Sequence, residues 1–202
     1  MFYHELHEMT KQMKVYPFVE LHKLSSVKNG IYLLFEEGEE YNIYNRIVRV
    51  GSHPINNGFF ERISKHKQGN HCNSVFRKHI GRCLLNKEKD SYLSVWEEKK
   101  GFNGFKDQQK EYQIESSISK YLNKFSIAAI PNLNNAKLRM SLEAKLIATL
   151  NTESYKNISD NWLGKYHPDK KIVTSGLWNI QHLNNLEKIN EIDLEILSRK
   201  LK

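Results

Sequence analysis

At 202 residues the chain can bury one core, and its 31 Lys and Arg against 23 Asp and Glu leave a formal net charge of +8. That excess favours a polyanionic partner, because cationic side chains displace condensed counterions from phosphates. Two cysteines, Cys72 and Cys83, argue against a disulfide-rich secreted scaffold, and no stretch approaches the roughly 18 apolar residues of a membrane span. Met1-Phe2-Tyr3-His4-Glu5 shows neither an apolar h-region nor a small-residue cleavage site, so the expected compartment is the cytoplasm, with no membrane partner.

Leu6 to Leu24 mixes helix formers with Pro17 and predicts a helical lead-in that stops or bends near Tyr16-Pro17. Two apolar runs follow, Ile31-Tyr32-Leu33-Leu34-Phe35 after Gly30, and Ile47-Val48-Arg49-Val50-Gly51. They predict a hairpin whose connection, Glu36-Glu37-Gly38-Glu39-Glu40 with an Asn/Tyr-rich insert, is long and solvated. Gly58 to Lys67 and Ser74 to Leu85 read as helices. The second would put Val75, His79, Ile80 and Leu84 on an apolar face and Arg77, Lys78 and Arg82 on another.

Tyr92-Leu93-Ser94-Val95-Trp96 alternates as a short strand does, and Asp107 to Asn123 has helical periodicity through Ile114, Ile118 and Leu122. Phe125 to Ile130, stopped by Pro131, reads as a further strand. A helix from about Leu138 to Leu150 lines up Leu142, Leu146, Ile147 and Leu150, with Glu143 at the border of the stripe. The tail carries Asn161-Trp162-Leu163-Gly164, then Ser175-Gly176-Leu177-Trp178-Asn179, then a polar helix ending at Lys202. Repeats, low-complexity tracts and a convincing linker are all missing, which predicts a single domain over residues 1–202.

In this order and context the residues resemble the GIY-YIG nuclease family. Gly30-Ile31-Tyr32 looks like its first motif and Arg49-Val50-Gly51 occupies the place of the second. Arg62 follows in a helix, His66 lies one turn later, and Glu143 falls in a downstream helix. The likeness covers roughly residues 29–164, which makes 1–28 and 165–202 flanking elaborations. One position departs: the family's second motif usually begins with Tyr, and here Arg49 stands there. Tyr41 and Tyr44 of the insert are candidates to supply the second phenol. The family's late Asn falls at Asn151 or Asn161, of which Asn161 is preferred for its Asn-Trp-Leu-Gly context. With the resemblance, the expected fold is an α/β (α+β) domain, a small and mainly antiparallel sheet flanked by helices, with N-terminal, internal and C-terminal elaborations.

The chemistry can be argued from the residues as well. Phosphodiester hydrolysis needs an activated water, neutralisation of charge on the phosphorane, and help for the departing oxygen. Glu143 suits one Mg²⁺ or Mn²⁺, hard cations that take one or two carboxylates and fill the rest with water and phosphate oxygens. Similar nucleases imply that Tyr32 positions or deprotonates the water, for which a phenol needs a nearby cation. Arg62 offers planar bidentate donors to the phosphate, and His66, four residues on, shares its helix face. Asn161 would assist, and Arg49, Arg77, Lys78 and Arg82 are the expected DNA contacts.

His66, His71, Cys72, His79 and Cys83 fit no standard zinc spacing, so free thiols in a packed helix are the better reading. Trp162 and Trp178 have two roles open to them, stacking on bases or packing inside, and packing is the stronger expectation. The leading expectation is a divalent-metal-dependent DNA endonuclease acting on double-stranded DNA in a restriction or other anti-invader role. A homodimer would let two sites cut both strands. The alternatives are a catalytically impaired nucleic-acid-binding module that keeps the scaffold, as Arg49 suggests, or a subunit of a larger assembly.

Overall fold

The computed structural model describes residues 2–96 and 107–201. Four strands, β1 (Val15–Pro17), β2 (Gly30–Tyr41), β3 (Tyr44–Ser52) and β4 (Phe125–Pro131), form one sheet in the order β1-β4-β2-β3, every pairing antiparallel. The helices are α1 (Phe2–Met9), α2 (Phe59–Gln68), α3 (Val75–Lys87), α4 (Gln108–Leu122), α5 (Ala136–Leu150), α6 (Lys170–Ser175) and α7 (Glu191–Arg199). The expected α+β class and helix-flanked antiparallel sheet are present. No helix among the described residues is long and apolar enough to cross a membrane, and Lys202 lies outside them.

The two-residue period of β2 divides the interior into two cores. Tyr32 and Leu34 point into one, shared with Phe59 and Ile63 of α2, Phe76 and Ile80 of α3, and Ile118 of α4. Ile31, Leu33 and Phe35 point into the other, shared with Leu6 of α1, Leu142 and Leu146 of α5, and Leu197 of α7. A strand covered on both faces reads as an unbroken apolar run, which is why Ile31 to Phe35 has no polar alternation. On β3 the register skips one residue: Leu34 pairs with Arg49 and Phe35 with Ile47, leaving Val48 as a bulge. Val48 consequently joins the first core while Ile47 and Val50 join the second.

Four sequence expectations change. The hairpin has no long solvated connection: β2 and β3 run on until Tyr41 pairs with Tyr44, and Asn42 turns the chain in the left-handed region (φ 53°). Glu36 and Glu39 are buried there, because each finds partners far along the chain. Glu36 Oε2 accepts from the indoles of Trp162 (3.1 Å) and Trp178 (2.8 Å), and Glu39 accepts from the Ser159 hydroxyl while pairing across the hairpin with Arg46.

The helical lead-in stops ahead of Tyr16-Pro17 rather than bending there, and a strand interrupts it. Tyr16-Pro17 belongs to the edge strand β1, a position that tolerates a residue without an N–H. Tyr92 to Trp96 forms a 3₁₀ turn over Ser91–Ser94 rather than a strand, since Asp90 caps it by accepting from the Tyr92 N–H (2.9 Å). Trp96 then packs on Gly81 and stacks on His71. Val75, at the first position of α3, is 50% exposed instead of joining the apolar face.

Several imidazoles are buried in these cores. Burial holds His7 and His167 down at about 4 and His79 at about 2, against 6.5 for a free imidazole; His79 Nδ1 and His167 Nε2 lie 2.9 Å apart. As pH falls below 6.5 the unfolded chain takes protons that the fold refuses. Stability is therefore full above that pH and declines toward pH about 4, by up to about 1.4 kcal/mol per pH unit for each such histidine. Denaturant titrations at pH 7.5, 6 and 5 should show a steadily falling midpoint. A flat midpoint would mean that these imidazoles are not kept neutral.

Candidate active site

Tyr32 sits on β2 opposite Gly51 of β3 and Ala129 of β4. The pairing explains both glycine positions of the motifs. A Cβ on Gly51 would lie 2.2 Å from the Tyr32 hydroxyl, so only glycine leaves room for the phenol. A Cβ on Gly30 would lie 2.5 Å from the Ile130 carbonyl oxygen, so β2 and β4 close up only without one.

The phenol is bound on its far side by α2. Tyr32 Oη and His66 Nε2 are 2.9 Å apart, and His66 Nδ1 is 2.8 Å from Ser74 Oγ, whose lone pair also accepts the Arg77 N–H (3.2 Å) as the N-cap of α3. His66 is completely buried, with Phe76 edge-on at 5.6 Å. Burial, and then the charges of Arg49, Arg62 and Arg77, push its pKa well below the ordinary value, so the imidazole is neutral.

Tyr32 opens onto a cavity of about 430 Å³ whose lining includes Arg49, Arg62, Lys78, Arg82, Ser52, Glu143 and Asn179. Each wall has a clear origin. Arg49 follows the β3 bulge, lies over the Phe76 ring (5.0 Å), and donates through Nη1 to the Trp178 carbonyl. Arg62 is on α2, one turn before His66, and its side chain makes no hydrogen bond or ion pair to the described residues. Lys78 and Arg82 are four apart on α3 and so share a face. Glu143, on α5, is the single carboxylate lining the cavity among the described residues, and Ser52 Oγ at the end of β3 donates to its Oε2.

The structure brings Tyr32, Arg49, Arg62, Lys78, Arg82 and Glu143 to one cavity, with His66 directly behind Tyr32. Two expected residues lie elsewhere. Arg77 is one step round the helix from Lys78 and is 1% exposed. It donates to Glu115 Oε2 (2.7 and 3.0 Å) and Ser119 Oγ (2.8 Å) on α4 and to the carbonyls of His66 and Lys67. Asn161 lines a different cleft, beside Gly38 and Lys124, and Asn151 caps α5, donating to the Leu183 carbonyl (3.0 Å). Two other amides line the cavity, those of Gln181 and Asn179; the Asn179 amide accepts from the Val50 N–H (3.1 Å) and donates to the Val50 carbonyl (2.9 Å).

Tyr41 and Tyr44 stack on each other at the hairpin tip and do not line the cavity. Trp162 and Trp178 are core residues. Three contributors were missed. Ser52 immediately follows the second motif, and Ser74 stands where a helix N-cap belongs, so both carried a local signal. Asn179 carried none, since its partner is Val50, far away in sequence.

Among the described residues no three His, Cys, Asp or Glu side chains converge to hold a metal ion. The donor set nevertheless fits a hard cation. The Glu143 carboxylate and Ser52 hydroxyl are oxygen ligands beside an open, cation-lined volume, and water and phosphate oxygens supply what Mg²⁺ further requires.

The family model for the GIY-YIG domain matches residues 1–202. No curated protein and no solved structure matches the chain. That family match runs the length of a chain whose Gly30-Ile31-Tyr32 and Arg49-Val50-Gly51 lie on paired strands. The chain therefore belongs to the GIY-YIG domain family, whose members are in general nucleases.

Proposed function

We propose that the protein is a divalent-metal-dependent endonuclease that hydrolyses phosphodiester bonds of double-stranded DNA. The observation that carries this reading is the Tyr32 phenol, 2.9 Å from a neutral, buried imidazole and open to a cavity lined by Arg62 and Glu143. In the tautomer proposed, His66 Nδ1–H donates to Ser74 Oγ, which leaves Nε2 to accept the phenol proton. As the Tyr32 proton passes to His66 Nε2, Tyr32 Oη takes one from the attacking water. The water oxygen bonds to phosphorus while the bond to the leaving sugar oxygen breaks.

Arg62, with no competing partner among the described residues, grips the non-bridging oxygens as charge builds on them. Arg49 adds fixed positive charge where the family usually has Tyr, and its hydrogen bond to the Trp178 carbonyl keeps the guanidinium in place. Glu143, oriented by Ser52, would hold the divalent cation, which supplies Lewis-acid stabilisation of the phosphate and leaving group when bound. Lys78 and Arg82 extend the positive wall along the DNA backbone. The C-terminal segment lining the cavity through Asn179, Gln181 and His182 supports recognition of particular sequences, as a restriction-type role requires.

Plasmid cleavage followed with Mg²⁺ and with EDTA tests the activity. Tyr32→Phe and Glu143→Gln should each lower the rate by at least about 10²-fold, in line with loss of a general base or a metal ligand, while duplex binding persists. Cutting by Glu143→Gln at the parental rate would remove Glu143 from the site.

Arg49→Ala and Arg49→Tyr examine the altered motif. If Arg49 has a role of its own, both lower the rate, Arg49→Ala by about 10²-fold as for other lost transition-state donors. A rate that rises in Arg49→Tyr would instead mark Arg49 as a degenerate position and favour the impaired binding module.

A further inference from the structure

Phosphodiester cleavage itself makes no use of the segment 180–186, the part of the C-terminal wall that follows Asn179. It lines the catalytic cavity through Ile180, Gln181 and His182, and the same three residues line an adjoining cavity of about 610 Å³ that continues along Leu183, Asn184 and Asn185. The segment thus borders both openings.

The backbone of this segment is held firmly. Upstream, the Asn179 amide pairs with both backbone groups of Val50. In the middle, Leu183 is buried in the second core, and its carbonyl accepts from Asn151 Nδ2 (3.0 Å). His182 adopts the left-handed region (φ 64°), and the Asn185 N–H closes that turn on the His182 carbonyl (3.1 Å). The side chains do the opposite: Gln181, His182 and Asn184 are exposed and make no side-chain hydrogen bond to the described residues. A fixed backbone with uncommitted amides is a pre-organised polar surface.

Two walls of the catalytic cavity differ in chemical kind. Arg62, Lys78 and Arg82 on α2 and α3 are cations, which read phosphate charge but not sequence. Residues 180–186 contain no charged side chain, only two aliphatic types, one imidazole and three amides. A carboxamide carries a donor and an acceptor side by side, the pattern that pairs with the N6 and N7 edge of adenine in the major groove. In the catalytic cavity the cations of α2 and α3 lie across from neutral side chains of the segment, and in the adjoining cavity Lys171 stands beside the same amides, so cations are placed to grip the backbone and amides to read bases.

We propose that the segment 180–186 reads base edges of duplex DNA next to the scissile phosphate, with Gln181 and Asn184 as the residues that set sequence preference. This rests on the nuclease reading of the adjoining cavity. The test uses the full chain and a randomised duplex library, sequencing ends cut with Mg²⁺ and, separately, duplexes retained with Ca²⁺.

The parent protein should show a base preference at defined positions from the cut. Gln181→Ala and Asn184→Ala should each flatten one or two of those positions by about tenfold, and Gln181→Glu should move a position toward cytosine, whose N4 amino group a carboxylate accepts. Lys78→Ala should weaken all sequences alike and reduce the salt dependence. A parent without base preference, or variants whose preference equals the parent's, overturns the proposal while cutting still stands. A parent that neither binds nor cuts any duplex fails the nuclease reading itself, and a parent that binds without cutting still reports base preference through the Ca²⁺ arm.

Discussion

A strand buried on both faces dictates this molecule. β2 spends Ile31, Leu33 and Phe35 on one core and Tyr32 and Leu34 on the other, so nearly every side chain from Gly30 to Phe35 is committed to packing. Beside Gly51, Tyr32 reaches the cavity, and it is 1% exposed even so. Its ring belongs to the core and its oxygen to the cavity. On the reading proposed, the rigidity that a general base needs comes from the same apolar contacts that hold the sheet to α2 and α3.

The far half of the hairpin ties the C-terminal third of the chain to this frame. Arg46 is completely buried, paired with Glu39, and donates to Ser154 Oγ (2.7 Å) and to the Gly176 carbonyl (2.5 Å). Glu36 gathers the indoles of Trp162 and Trp178 and the phenol of Tyr121, and burial raises its pKa. Removing one partner from such a buried pair costs about 3–5 kcal/mol because the other charge is left unpaired. The consequence reaches the site directly. Gly176 and Trp178 flank the backbone that carries Asn179, and the Trp178 N–H donates to the Val48 carbonyl (2.7 Å) at the bulge that sets the position of Arg49. The residues from 165 onward therefore build a wall of the cavity.

Much of the fold was legible because its signals are local. The apolar runs of β2 and β4, the stripe Leu142, Leu146, Ile147 and Leu150, and the face Ile114, Ile118, Leu122 each obey a period set by their own backbone, and each is buried. Several misreadings trace to a partner distant in sequence. Glu36 and Glu39 belong to an acidic tract that reads as solvated, until Trp162, Trp178 and Ser159 are placed against them. Arg77 and Lys78 look alike in a basic run, yet successive helix residues point about 100° apart, and Glu115 on α4 claims the first of them. Tyr92 to Trp96 has the alternation of a strand, but the sheet has no edge there and Asp90 supplies a cap. For the candidate site, residue type and order brought Tyr32, Arg62, His66 and Glu143 forward, whereas the amide at Asn179 required knowing which segment covers the free edge of β3.

His66 is held neutral by burial and by Arg49, Arg62 and Arg77, so an imidazolium there is disfavoured. On the reading proposed, a phosphodiester entering against Arg62 and Arg49 brings the negative charge that offsets two of those three cations. The same binding step that places the phosphorus near Tyr32 then makes His66 a better proton acceptor, and charge growing on the phosphorane strengthens the effect as the bond to water forms. Arg49, in a position usually held by Tyr, is thereby given electrostatic work that a neutral phenol at that position would not perform.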